Sequence, residues 1–266
     1  MIAAPVLRGI WNYRGFVLGS VAREFRARYG NAVLGALWTL LSPLAMIVVY
    51  TVVFAEVMRT RLPGSENGYA YSIYLCAGIL AWGLFAEIVG RAQTMFIDQA
   101  NLLKKIHFPR ICLPLIVVLG ALLNFGIIFG LFTMFLVASG NFPGAVFAAI
   151  VPVLALQVLF AIGLGLIIGV LNVFFRDIGQ LFGILLQFWF WLTPIVYPAS
   201  ILPESLRGWL AFNPMAAIIG AWQRILVTGQ PPLWETLAAP LALALLMCLL
   251  GWRLYRKRAG EMVDEL

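Results

Sequence analysis

Charge is what this 266-residue chain has least of: Asp, Glu, Lys and Arg together make up 11% of it, against about 25% in an ordinary soluble domain. Apolar residues reach 63% and the mean hydropathy is +0.97, so water cannot be its main solvent. Histidine occurs once, as His107, in a basic stretch without a cysteine or second histidine beside it, which leaves no metal site. The three cysteines, Cys76, Cys112 and Cys248, all fall in apolar runs, where each reads as a small buried hydrophobe and not as part of a disulfide frame. There are three lysines and none follows a glycine, so the phosphate-binding G-x-x-x-x-G-K-[ST] loop is missing and ATP hydrolysis by that route falls to another chain. Convergent carboxylates of the kind a lipid-processing enzyme needs are also missing.

Ionisable side chains are nearly absent from the centres of the apolar runs, where each costs roughly 3 kcal/mol on insertion scales. An ion-coupled carrier keeps a buried carboxylate or histidine relay, so this scarcity argues against one; Glu56 and Glu87 read as helix-end residues. The formal charge of +7 does not indicate nucleic acid, because the basic residues alternate with lipid-length apolar runs instead of lining one soluble face. No compact signal core with a small-residue cleavage site opens the chain, so the first span is expected to be retained.

What is present is a series of runs near the length, about 20 residues, that spans a bilayer as a helix. They cover Leu34 to Val57, Tyr71 to Val89, Ile111 to Ala138, Ala145 to Leu171, Ile178 to Val196 and Leu237 to Tyr255. The hydropathy predicts an all-α integral membrane protein with six transmembrane helices. With six, fourteen of the eighteen Lys and Arg lie on the side of both termini; only Arg59, Arg61, Arg207 and Arg224 lie opposite. Basic residues in short loops stay cytoplasmic, so both termini of this multi-pass chain are expected there. A seventh span over Ile201 to Val227 would expel the cluster Arg253, Arg256, Lys257 and Arg258.

Two segments flank this core. Residues 1–33 read as a cytoplasmic amphipathic interface helix, with Ile10, Val17, Val21 and Phe25 on one face and Asn12, Arg23 and Arg26 on the other. The transmembrane domain, 34–266, carries an external segment at 199–234 that is too apolar for a solvated loop and too broken for a span; re-entrant or interfacial short helices fit it. The paired glycines Gly126–Gly130 and Gly165–Gly169 have the G-x-x-x-G spacing that lets helix backbones approach in lipid. The loop 91–110, RAQTMFIDQANLLKKIHFPR, is long enough for a short amphipathic helix, and a topogenic role explains its charges but not Phe96, Ile97, Leu102 and Leu103.

Four stretches together resemble one family: RYGNAVLGALWTLLSPL (Arg28 to Leu44), NLLKKIHFPRICLP (Asn101 to Pro114), LNVFFRDIGQ (Leu171 to Gln180) and FWFWLTPIVYP (Phe188 to Pro198), the last followed by FNP at Phe212 to Pro214. In order and spacing the chain is similar to the permease subunits of type-2 ABC exporters that move O-antigen, capsular polysaccharide or teichoic acid. The resemblance implies a homodimer joined to two cytoplasmic ABC ATPase subunits, which hold the ATP and Mg; this chain is expected to bind no cofactor and to catalyse no reaction. It implies an ATPase-coupling helix including Asn101, Leu102, Leu103, Lys104, Lys105, His107, Phe108 and Arg110, with Arg176 and Asp177 of the other internal cytoplasmic loop beside it. A polyprenyl-diphosphate-linked glycan is the expected cargo, its headgroup met by Arg23, Arg26, Arg28, Lys104 and Lys105. Phe188, Trp189, Trp191 and Tyr197 are candidate channel-lining aromatics, although adjacent residues on a helix point in different directions and cannot all line one pore. Pro194, Pro198, Asn213 and Pro214 mark an external gate. Two other readings share part of this pattern: a type-2 ABC permease for a small lipid or drug, with the same topology, and a membrane-bound enzyme acting on a lipid-linked sugar.

Overall fold

The computed structural model describes residues 13–29, 38–53, 68–100 and 112–265. Among these the chain is helical without strands. The helices are α1 (Arg14–Tyr29), α2 (Trp38–Thr51), α3 (Ala70–Asp98), α4 (Cys112–Ala138), α5 (Ile150–Phe174, led in by a 3-10 turn Gly144–Ala149), α6 (Asp177–Leu192), α7 (Glu204–Leu210), α8 (Pro214–Thr228), α9 (Trp234–Arg258) and α10 (Glu261–Glu265). Four of the described helices, α3, α4, α5 with its lead-in turn, and α9, are long and apolar enough to cross a membrane. Of the two other expected spans, the first is described only over α2, 14 residues, and the fifth is the 16-residue α6.

Glycine explains why α5 sits at the centre, packed chiefly against α9 and α3. A Cβ on Gly163 would lie 2.8 Å from the Cys248 backbone nitrogen of α9, and one on Gly165 would lie 2.5 Å from the Ala92 Cβ of α3, while one on Gly169 would strike the Ala92 carbonyl. In lipid, where neighbouring tails are as apolar as leucine, such close approach is a main source of helix attraction. The other predicted pair behaves differently: Gly126 and Gly130 of α4 face open space.

The spans alternate in direction. Phe96 stacks on Tyr255 at 5.9 Å between ring centroids, and the Arg258 guanidinium lies 5.7 Å from the Phe174 ring centre, so the ends of α3, α5 and α9 gather at one end of the bundle. At the opposite end Tyr69 meets Phe135 edge-on at 6.2 Å. Between them Gln157 spans three helices, donating to the Ala81 carbonyl (2.6 Å) and accepting from the Trp222 indole (2.8 Å). A buried amide with both ends satisfied fixes the register of α3, α5 and α8.

Two boundaries differ from the hydropathy reading. The second span does not stop at Val89: α3 runs on to Asp98, so residues 91–98 of the expected loop are its continuation and Glu87 lies within the helix instead of at its end. The reason is charge pairing, since Arg91 is bonded to Glu24 and Glu87 and its charge does not have to leave the helix. The helix at the expected fifth span, α6, stops at Leu192, not Val196; Thr193 is extended (φ −105°, ψ 134°), as a residue preceding proline favours. Within the segment 1–33 the described residues form the helix α1, on which Val17 and Val21 are buried and Arg23 and Arg26 exposed.

Candidate gate and passage

Helix α6 has no fully buried residue, and its outward stripe carries Leu181, Ile184, Leu185, Phe188, Trp191 and Leu192 at helical spacing. The phase of this stripe splits the aromatic run. Phe188 and Trp191 are 64% and 59% exposed. Trp189, expected from the sequence to join them, turns inward instead: its ring meets Phe85 (5.4 Å), Trp82 (6.1 Å) and Phe160 (6.2 Å) edge-on, and its indole N–H donates to Asn213 Oδ1 at 2.8 Å. A helix turns about 100° per residue, so Phe188 and Trp191, three apart, lie within about 60° of each other while Trp189 points away from both.

Beyond α6 the backbone at 193–198 is not helical, and side chains from other elements take up its freed carbonyls. The Tyr74 hydroxyl lies 2.9 Å from the Pro194 and the Tyr197 carbonyls, Gln223 Nε2 donates to the Pro194 carbonyl (3.2 Å), and the Tyr71 hydroxyl donates to the Val196 carbonyl (2.9 Å). The Tyr197 hydroxyl turns back to the Trp191 carbonyl at 2.7 Å. Non-helical backbone at membrane depth persists only with such partners. The loop also needs room. A Cβ on Gly78 would lie 3.1 Å from Ile195 Cγ2 and 3.0 Å from Gln223 Nε2, and Ile195 is fully buried against that gap.

Asn213 joins the two sides of the loop. Its Oδ1 caps α8, accepting from the backbone N–H of Met215 (3.1 Å) and Ala216 (3.4 Å), as well as from Trp189; its Nδ2 donates to Thr193 Oγ1 at 3.0 Å. Pro214 at the first helical position lacks the N–H that would go unpaired there and starts α8 with its fixed φ. Between the 194–200 segment, α8 and the start of α9 lies a cavity of about 1090 Å³ with Tyr74, Pro194, Pro198, Gln223 and Arg224 on its walls. Pro194, Pro198, Asn213 and Pro214, the four residues expected at a gate, thus lie in one structure that also needs Tyr71, Tyr74 and Gln223. Those three were missed; the available signal was their polarity inside apolar runs.

At the other end of the bundle, Arg176 and Asp177 are exposed at the start of α6, where the Asp177 carboxylate suits the positive end of the helix dipole. Asn172 ties this turn to α3: its Nδ2 donates to the Gln93 carbonyl (2.9 Å) and its Oδ1 accepts from the Gly179 N–H (2.9 Å). Asn101, Leu102, Leu103, Lys104, Lys105, His107, Phe108 and Arg110 lie outside the described residues, as does the Arg28 side chain. Arg23 bonds the Ser20 hydroxyl (2.8 Å) and shares a cavity with Glu24 and Asp98, so the charge around it is mixed.

Residues 17–227 match the family model described as ABC-2 type transporter. Over 98% of its length the chain is 32% identical to the O-antigen export system permease protein RfbA of Myxococcus xanthus, covering 99% of that protein. A protein of the same name from Klebsiella pneumoniae is 30% identical over 78% of each chain, and the polysialic acid transport protein KpsM of Escherichia coli is 22% identical over 91% of this chain and 93% of its own. With the match running through most of the chain, the protein belongs to the ABC-2 type transporter family.

Proposed function

We propose that the chain is the channel-forming permease subunit of an ATP-driven exporter that carries a polyprenyl-diphosphate-linked polysaccharide, O-antigen above all, out across a bacterial inner membrane. The observation that carries this reading is the end-to-end similarity to an O-antigen export permease, coincident with an outward aromatic face that leads into a gate. Two copies form the channel, and two cytoplasmic ABC ATPases drive it with ATP and Mg. All six apolar segments cross the membrane, α2 and α6 included, with both termini cytoplasmic; α7 and α8 form a re-entrant pair between the fifth and sixth spans.

The exposed α6 stripe supports placing the passage there. Phe188 and Trp191 face it, with Trp189 behind them as the support that fixes their phase. Aromatic faces suit a sliding glycan because they bind the C–H-rich side of a pyranose without fixed hydrogen bonds. Tyr197 and the proline-containing segment close the outer end. The ATPase seats on the 101–110 loop and on Arg176 and Asp177, while Arg23, Arg26, Arg28, Lys104 and Lys105 supply positive charge for the diphosphate. The test is export itself. Reconstituted with its ATPase, the chain is expected to move lipid-linked glycan into proteoliposomes at the expense of ATP, and a deletion strain is expected to accumulate that glycan inside the cell. Glycan-independent ATP turnover with no accumulation in the strain would sink the proposal.

A further inference from the structure

One polar cluster is not used by the gate or the passage. Arg91 lies well inside α3, and its guanidinium bridges two carboxylates from different helices: Glu24 of α1 on one side and Glu87, one turn back on α3, at 3.6 Å on the other. Glu87 in turn accepts from Asn124 Nδ2 of α4 at 2.8 Å. One turn before Asn124, a Cβ on Gly120 would lie 2.6 Å and 2.9 Å from the two terminal nitrogens of Arg91. Helix α4 therefore offers a hollow for the guanidinium and a donor for its carboxylate partner. Three helices are shaped around one charge.

The packing beside this cluster is loose. A cavity of about 410 Å³ separates part of α1 from α3, with Phe16, Arg23, Glu24, Arg91 and Asp98 among its lining residues, and a second of about 290 Å³ lies beyond Glu87 and Asn124. Helix α1 packs chiefly against α4, so apolar contact does not fix it against α3. A fork of guanidinium donors bridging two carboxylates does, with a geometry that lysine lacks.

Resting on the reading of the chain as an ATP-driven permease, we propose that Arg91 is a positioning residue that makes α1 follow α3 during the transport cycle, so that movement entering at the loop after Asp98 reaches the amphipathic helix as well as the span. Without the bridge α3 still moves, but α1 stays behind.

The test uses the full complex in proteoliposomes with Arg91→Lys, Arg91→Met and the milder Glu24→Gln. Two quantities are read: glycan exported per ATP hydrolysed, and the distance between spin labels at Leu18 of α1 and Asp98 of α3, both exposed, with and without a non-hydrolysable ATP analogue. In the parent complex the label distance is expected to be the same in both nucleotide states. In Arg91→Lys and Glu24→Gln it is expected to differ between the states, with export per ATP lower by at least about fivefold, the scale of a typical coupling energy between sites. Lysine still neutralises Glu87, so a merely charge-balancing Arg91 would leave that variant coupled; unchanged distance and unchanged export per ATP in Arg91→Lys and Glu24→Gln would overturn the proposal. Arg91→Met sets the upper limit of the effect, and if it fails to assemble the other two variants decide. If the parent complex exports no glycan, it is the permease reading that fails, and the label distances still decide whether the two helices move together.

Discussion

Asn213 is the residue whose loss the junction between α6 and α8 should feel most. Replacing it with alanine removes the cap of α8, which costs about 1 kcal/mol for a typical N-cap, and leaves the inward Trp189 indole N–H without its acceptor, a further ~1–3 kcal/mol. Thr193 loses less, because its hydroxyl still donates to the Trp189 carbonyl at 2.7 Å. The total is about 2–4 kcal/mol, or roughly 5–10 °C of thermal midpoint for a chain of this size. Cys76 and Cys112 are fully buried and provide the readout, since a thiol-reactive dye reports their exposure on heating in detergent. Asn213→Asp should lose less: a carboxylate oxygen still caps α8 and still accepts from Trp189, and the bonds lost are those that Nδ2 gives to Thr193 Oγ1 and to the Leu192 carbonyl. Because Trp189 and Asn213 share one bond, Trp189→Phe and Asn213→Ala should not add, and their double-mutant cycle should give a coupling of about 1 kcal/mol. Additive losses, or an aspartate variant as unstable as the alanine one, would refute the assigned bonding.

Phe188→Ala and Trp191→Ala should reduce glycan export while leaving the thermal midpoint within about 2 °C, because exposed side chains contribute within roughly 0.5 kcal/mol; a large stability loss in either would place them in a packed interface instead of the passage. Tyr74→Phe keeps the ring and removes one hydroxyl from the two carbonyls that share it, at about 1 kcal/mol. Its expected signature is a leaky outer gate, measured as faster reaction of a Ser200→Cys variant with an impermeant maleimide in resting vesicles.

The parts legible in the sequence were those set by composition over long windows. Helical character, the positions of α4 and of α5 and the tight pair Gly165 and Gly169 follow from apolar length and small-residue spacing. Spacing alone could not separate that pair from Gly126 and Gly130, because a G-x-x-x-G face packs only where a second helix arrives, and none of the described ones arrives there. The inward turn of Trp189 depends on the rotational phase of α6, which four consecutive aromatics do not encode. The length of α3 was misread for a different reason. Hydropathy treats Arg91 as a free charge that ends a span, whereas Glu24, 67 residues earlier, and Glu87 share it. Long-range pairing of that kind leaves no periodic trace. The gate was half legible: Asn213 and the prolines have local signatures in caps and helix breaks, but the tyrosines that satisfy the loop act over more than 100 residues of sequence.

Helix α3 connects the parts proposed above, with Tyr74 and Gly78 against the 193–198 segment, Arg91 at the bridge to α1, and the loop proposed to seat the ATPase following it. Between them, Ala92 is gripped by Gly165 and Gly169 at contact too close for any larger residue. A helix held so tightly at one point tilts more easily than it slides. At 1.5 Å per residue Tyr74 is about 27 Å from Ala92 and Asp98 about 9 Å, so a displacement of ~0.5 Å at Asp98 becomes ~1.5 Å at Tyr74. That is sufficient to carry a 2.9 Å hydroxyl contact past the distance at which a hydrogen bond survives. Opening of the proposed gate by this lever requires a tilt of ~3°, which also moves Ala81, ~16.5 Å from the pivot, by ~0.9 Å against its bond from Gln157. Ala92→Gly removes the methyl that Gly165 faces and should loosen the pivot, slowing the ATP-dependent rise in maleimide labelling at Ser200→Cys without altering ATP hydrolysis. Gly165→Ala drives a second methyl into the same contact, overpacking at about 1–3 kcal/mol, and should push α3 off its pivot. If both variants opened the gate with parental kinetics, α3 would not be acting as a lever about Ala92, and the tyrosine contacts would have to be broken from the α6 side.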